Sequence, residues 1–348
     1  MQHRNVPLIV CYENRPECED GVRVLVASLK RAMPDARLRL YHNPASPDFA
    51  DWIGQFPGIE WRPATLPAST GWNVKPHVLT EALDDGHEQA LWLDADLLVA
   101  RDFFPFLAAA PADALIATEE ASWGSWDDSD FLRTRGWGLE PGRQLPFTTN
   151  SCVLRVTQAH RGLIAAWQEL LSSPAYIAAQ AADWSTRPPH MIGDQDVLTA
   201  LLGADAFQHI ELRFMRRGKH ILQLFGPLGF TIRERLQIGF GRLPLIIHAQ
   251  GTKPWKVERA ASQRQWYGRL FAIYQDTSAY IMFVEKYLQP GLRFAWLAPA
   301  SRAGAALRRS GLGSIALAGA PIAALFDAVY GPRRMLRRIM GRRRVPRT

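Results

Sequence analysis

Apolar positions recur along the first 260 residues in alternating short runs and helical stripes. Residues 6–11 (VPLIVC) form an apolar run that ends in a polar YEN. In the following GVRVLVASLKRAM, Val22, Leu25, Leu29 and Met33 fall on one helical face. RLRLYH (37–42) alternates as a strand does, and the NPASPD turn follows it. A short helix near 49–55, a strand near 58–62 and a helix over 74–86 closed by Gly86 lead into QALWLDADLLV (89–99), which reads as one strand. ADALIATEE (112–120) and FTTNSCVLRV (147–156) give two further strands. TQAHRGLIAAWQELL gives a helix with Thr157 as N-cap, and DQDVLTALL another. IELRF and LPLIIHA are later strands, and a helical run extends from Ser262 to about Leu288. Strand and helix alternating in this way predict an α/β fold, a sheet wrapped by helices.

Two stretches break the rhythm. Residues 121–147 are rich in Gly, Trp and charge and have no clean period, as binding loops often do. Beyond a boundary near 290–300 the composition shifts, which predicts a globular body over 1–290 and a separate tail over 291–348. From Ser301 onward there are eleven Arg against one acid, Asp327, a net of +10, so the formal net charge of +8 leaves −2 for residues 1–300. Met335, Leu336, Ile339 and Met340 share one helical face, with Arg333, Arg334, Arg337 and Arg338 on the other. Such a basic amphipathic helix suits an anionic membrane surface. No stacking aromatics interleave with these arginines, so nucleic acid is not the expected partner. The apolar 311–326 stretch contains Pro321 and is short for a membrane span. Its GLGSIA follows no strand, so it is not read as a dinucleotide-binding turn.

With 348 residues, 47% of them hydrophobic, and 12 Trp and 16 Phe spread throughout, the chain is neither disordered nor fibrous. Its three cysteines, Cys11, Cys18 and Cys152, are too few for a disulfide scaffold and fit a reducing compartment. The apolar run before Glu13 is too short for a secretory signal, so a cytoplasmic setting is expected.

Two constellations carry chemistry. In LWLDADLLV, Asp94 and Asp96 stand one residue apart at the end of an apolar strand. In an ideal strand alternate side chains point the same way, so both carboxylates would reach one divalent cation, which relieves their repulsion. In LPLIIHAQGTKPW an apolar strand delivers His248, then Gly251, which permits positive φ, then the mobile charge of Lys253 and the turn residue Pro254. Together these suit a metal-bound diphosphate.

With TTNSCVLRV (148–156) and GDQDVL (193–198) between them, these motifs resemble the retaining glycosyltransferases of family 8 over about residues 6–260. The resemblance implies a GT-A-type nucleotide-diphospho-sugar transferase fold, a Rossmann-like mixed sheet flanked by helices. It implies that Asp94, Asp96 and His248 bind Mn²⁺ or Mg²⁺, and that the ion bridges the diphosphate of a UDP-sugar. It also implies that Lys253 neutralises the leaving β-phosphate, that Lys75 steadies the donor, and that Tyr12 and Asn14 hold uracil and ribose. Gly251 lies in the same donor-binding turn, Asn150 would hold the sugar, and Asp194 and Gln195 would lie beside it. Two departures from the family pattern are that only Thr252 separates Gly251 from Lys253, and that Cys152 replaces a glycine of the Asn-Ser-Gly strand.

The chemistry stands on its own terms. Cleaving the anomeric bond places negative charge on the departing diphosphate, which a divalent cation and a lysine stabilise. No strong nucleophile is evident on the other side: the Gln195 amide is feeble and Asp194 is possible, so covalent double displacement is not preferred over front-face attack by the acceptor hydroxyl, and retention rests on the resemblance alone. The function expected is sugar transfer to a glycan or glycolipid acceptor at the inner face of the cytoplasmic membrane. Two alternatives are a nucleotidyltransferase, for which the glycine-rich phosphate loop is missing, and a catalytically silent nucleotide-sugar-binding adaptor docked to the membrane.

Overall fold

The computed structural model describes residues 6–120, 131–224, 230–251, 253–256, 272–288, 291–313, 315–321, 323–325 and 328. The chain divides into two compact units. One comprises residues 1–19, 35–95 and 103–216, the other 20–34, 96–102 and 217–348.

The first unit is built on a seven-stranded sheet: β1 (Leu8–Glu13), β2 (Leu38–His42), β3 (Ile59–Arg62), β4 (Gln89–Leu93), β6 (Leu115–Glu119), β7 (Thr149–Thr157) and β8 (Leu212–Met215), in the order β3-β2-β1-β4-β7-β6-β8. β7 runs antiparallel to both its neighbours and every other pairing is parallel, so the sheet is mixed. Alternate strand residues, among them Val10, Trp92, Leu154 and Leu115, pack with α3 (Lys75–Asp84), α6 (Arg161–Leu171) and α8 (Asp194–Gly203) in one apolar core. The local signals act as expected. Thr157 accepts a hydrogen bond from the Ala159 amide and forms a capping box with His160. Gly86 closes α3 at φ +86°, a conformation that favours glycine.

The run 89–99 is not one strand. β4 ends at Leu93, a turn at Ala95 and Asp96 follows, and β5 (Leu97–Val99) starts in a different sheet. The Asp94 amide still donates to Cys152 O at 2.9 Å, while Asp96 O accepts from the Ala249 amide at 3.1 Å. Each acid is thus held by a different unit's backbone, and strand alternation does not orient the pair.

In the second unit β5 and β9 (Ile221–Gln223) flank β10 (Ile246–His248), β5 antiparallel and β9 parallel. α1 (Glu19–Ala32) belongs mainly here. It buries Val22, Leu25, Leu29 and, just beyond its end, Met33, and its Ser28 hydroxyl accepts from the Val99 amide at 3.0 Å. The helical run expected over 262–288 is interrupted: residues 272–276 are helical, Ser278 caps a new helix, Ala279–Phe283, and residues 261–271 lie outside the described set. GLGSIA follows the end of the helix Arg302–Arg309, not a strand. The amphipathic arginine segment 333–340 and the Trp-rich part of the 121–147 loop, residues 121–130, fall outside the described residues. Among the described residues no helix is long and apolar enough to cross a membrane.

Candidate active site

In the first unit the chain leaves β1 toward β2 on one side and later adds β4 on the other. The carboxyl ends of β1 and β4 therefore flank the point where strand order reverses, the place where open α/β sheets bind ligands. Asp94 stands just past β4. Because β7 is antiparallel, its amino-terminal residues Asn150 and Ser151 arrive at the same edge. α8 begins with Asp194 in its first turn, where the helix dipole favours negative charge.

Lys75, the first residue of α3, joins these pieces. It is 4% exposed, and its Nζ lies 2.6 Å from Ser151 Oγ, 2.9 Å from Asp194 Oδ2 and 3.4 Å from Asp94 Oδ1. Burial opposes its charge, but the carboxylates of Asp194 and Asp94 outweigh it and its pKa is raised, so the ammonium is held protonated. Ser151 Oγ donates onward to Asp194 Oδ2 at 2.7 Å. Asp94 is oriented from behind by Trp92, whose indole Nε1 donates to Oδ1 at 2.6 Å.

A second knot forms around Glu120, the acid just past β6. Its Oε2 accepts from Asn150 Nδ2 at 2.6 Å and from Gln195 Nε2 at 3.1 Å. Asn150 Oδ1 in turn accepts from the Cys152 amide at 2.9 Å, so the Asn150 amide is held in one orientation. Asp196, on the same helix turn as Asp194, is bound by Arg133 at 2.8 Å, yet burial outweighs the guanidinium and pushes its carboxyl up to about 6. Tyr12 is buried. Its hydroxyl accepts from the Leu66 amide at 2.8 Å and donates to Leu66 O at 3.2 Å, and its ring stacks on Tyr41. Asn14 lies half-buried beyond β1, and Cys152 is fully buried.

The second unit holds Asp96, His248 and Lys253. His248 ends β10 opposite Leu97, and its Nε2 lies 3.3 Å from Asp96 Oδ1. Lys253 Nζ donates to Asp96 Oδ2 and, at 2.9 Å, to Ala249 O. Gly251, between them, takes φ +76°, the left-handed region that only glycine enters without strain. Asp96 is buried. Burial would raise its pKa, but the charges of Lys253 and His248 lower it far below the usual carboxylate range. Asp96 and His248 are donors suited to a metal, and Asp94, which ends the first unit's strand, stands two residues back along the chain.

Those donors fit a hard or borderline divalent cation, two carboxylates and an imidazole as for Mg²⁺ or Mn²⁺. The local chemistry agrees. Among the described residues the buried Asp96 Oδ1 makes no hydrogen bond of normal geometry and faces an imidazole nitrogen, and the second oxygen is already neutralised by an ammonium.

The residues expected from sequence thus gather as Lys75, Asp94, Asn150, Asp194 and Gln195 in one unit and as Asp96, His248, Gly251 and Lys253 in the other. Sequence reasoning missed Trp92, Glu120, Arg133 and Ser151. Glu120 carries the signal used for Asp94, an acid closing an apolar strand, and Ser151 stands beside Asn150 in the same motif.

No protein-family model and no functionally characterised protein matches the sequence at a significant level. Solved structures do. The apo structure of the bifunctional glycosyltransferase WbbM matches 74% of this chain at 12% identity with a TM-score of 0.50. The fold is that of the GT-A glycosyltransferases. The chain spans about half of WbbM, 48% of its length. Weaker likenesses are to the galactosyltransferase LgtC, solved with donor and acceptor sugar analogs (15% identity, TM-score 0.45, 78% of this chain and 96% of that one), and to the apo form of GlyE from Streptococcus pneumoniae (15%, 0.43, 83% and 64%).

Proposed function

We propose that this GT-A protein is a metal-dependent glycosyltransferase that moves a sugar from a UDP-sugar donor to a glycan or glycolipid acceptor with retention of anomeric configuration. The observation that carries the reading is the edge of the first sheet, where Asn150, Asp194, Gln195 and a buried lysine gather just past the strand that delivers Asp94. A sugar needs fixed donors and acceptors in a preorganised frame, and these side chains are locked by one another before any substrate arrives.

In this reading Asp94, Asp96 and His248 hold Mn²⁺ or Mg²⁺, which supplies Lewis-acid stabilisation of the departing diphosphate. Lys253 leaves Asp96 to meet the β-phosphate, while Gly251 lets the backbone turn beneath it. Tyr12 and Asn14 bound the nucleotide. Asn150 and Asp194 hold sugar hydroxyls. The Gln195 amide lies beside the anomeric centre and is too weak a nucleophile to require a covalent step, so attack by the acceptor hydroxyl from the leaving-group face accounts for retention. The arginine-rich 291–348 tail holds the protein on the inner face of the cytoplasmic membrane, next to a growing surface glycan.

The test is the thermal shift that UDP produces with and without Mn²⁺. Wild type is expected to be stabilised by UDP only when metal is present. Asp96→Ala and His248→Ala are expected to lose that shift and sugar transfer while keeping the wild-type circular dichroism spectrum. A metal-dependent UDP shift surviving in Asp96→Ala refutes the reading.

A further inference from the structure

The charge divides more sharply than the tail alone suggests. Residues 217–348 hold 23 Lys and Arg against 5 Asp and Glu, a net of +18, whereas residues 1–216 hold 18 against 28, a net of −10. The described acids between 217 and 325 are all turned to internal work. Glu234 caps its helix at Thr231 and pairs with Arg217, Asp276 accepts from the Ala300 and Ser301 amides, and Glu285 pairs with Arg308. The exposed charge of this stretch is therefore positive.

The same stretch exposes oil. Seven of the thirteen large apolar side chains exposed among the described residues lie between 232 and 325. Ile232, Leu236 and Phe240 recur every four residues along α9 (Ile232–Gly239) and its cap and form one outward stripe, with Phe240 80% exposed. The opposite face is anchored. Arg235 is fully buried, donates to Thr277 O at 2.9 Å and Ala316 O at 3.3 Å, and stacks on Phe230. Gly239 admits Leu317, which a Cβ there would meet at 3.1 Å. The stripe and the exposed Ile315 and Leu317 are thus fixed beside one another. Arg233 and Arg242 are exposed on and just past α9, and Arg309 is exposed three residues before exposed Leu312. An open apolar groove of about 520 Å³, lined by Ile273, Leu307, Ala318 and Pro321, lies along the adjoining helix Arg302–Arg309.

We propose that this face of the second unit docks on an anionic lipid bilayer, with Ile232, Leu236 and Phe240 entering the interface and the arginines meeting headgroup phosphates. Apolar side chains with a cationic border are the composition of an interfacial element. A second copy of this surface is opposed by like charge. Nucleic acid needs stacking platforms, and this patch offers aliphatic side chains with one phenyl ring. The inference deepens the membrane part of the proposed function but is independent of the arginine segment 333–340, because it rests on residues between 232 and 321.

The experiment uses full-length protein sedimented with vesicles of phosphatidylcholine containing about a third phosphatidylglycerol. Binding is expected to be lost on pure phosphatidylcholine and weakened by 0.5 M salt. Leu236→Glu with Phe240→Glu is expected to cut binding at least about tenfold with an unchanged circular dichroism spectrum. A separate variant with Arg333, Arg334, Arg337 and Arg338 changed to Gln isolates the tail. The native cysteines are buried, so an acrylodan label on Phe240→Cys reports its surroundings directly. A blue shift on anionic vesicles that persists in the tail variant supports the proposal. Overturning results are wild-type binding by the Glu pair, sedimentation without a spectral shift (the tail alone then docks), or concentration-dependent self-association that hides Phe240 without lipid.

Discussion

Replacing Lys75 by methionine keeps most of the side chain's length and removes its charge and its hydrogen bonds. In the wild type the ammonium lies 2.9 Å from Asp194 Oδ2, and both residues are almost wholly buried. Without it Asp194 keeps the Ser151 hydroxyl as donor but loses its countercharge in a medium that solvates ions poorly. Removing one partner of a buried pair costs about 3–5 kcal/mol. Asp94 adds little to that cost, because its side chain is a quarter exposed and regains water. The Lys75→Met variant is therefore expected to lose on the order of 3–5 kcal/mol in urea unfolding followed by circular dichroism. Adding Asp194→Asn removes the orphaned charge, and the double variant is expected to recover on the order of 2 kcal/mol of that loss, a coupling that a double-mutant cycle measures directly. Two outcomes refute the reasoning: a Lys75→Met protein as stable as wild type, or a double variant no more stable than the single one.

Three further predictions concern other parts of the site. Burial holds the Asp196 carboxyl near 6, above its unfolded value of 3.8. Its folded form therefore keeps the proton more tightly, and its contribution to stability is largest below about pH 4 and is lost as pH rises through 6. Asp196→Asn is expected to remove on the order of 2–3 kcal/mol of pH dependence between 4 and 7, read from unfolding curves at several pH values. Gly251→Ala places a Cβ at φ +76° and is expected to cost about 1–2 kcal/mol, seen as a lower melting temperature and weaker UDP binding. Lys253→Met frees Asp96 from its ammonium. With no nucleotide present it is expected to bind Mn²⁺ several-fold more tightly by electron paramagnetic resonance titration, while UDP binding at saturating metal weakens; unchanged Mn²⁺ affinity counts against competition for Asp96.

The sequence determined what is local. Apolar periodicity located most of the strands and helices, because a strand buries every second residue and a helix one stripe. Thr157 and Gly86 marked an N-cap and a helix end through their own side-chain chemistry and backbone freedom. An acidic pair closing the run Leu91–Leu93 marked chemistry, because charges seldom end such a run without a use for them.

Tertiary structure decided what depends on partners distant in the chain. The antiparallel direction of β7 brings Ser151 to Lys75 across 76 positions, and no periodicity encodes that meeting. Residues 90–99 are uniformly apolar around two acids, so nothing local shows the chain leaving one sheet at Asp94 and entering another at Asp96; the amide of Ala249, far downstream, settles it. Glu120 is an ordinary strand-end acid until Asn150 and Gln195 reach it from two other elements. Local sequence fixes backbone preference and which face is apolar, whereas hydrogen bonds and ion pairs between distant side chains form only once the apolar faces have packed.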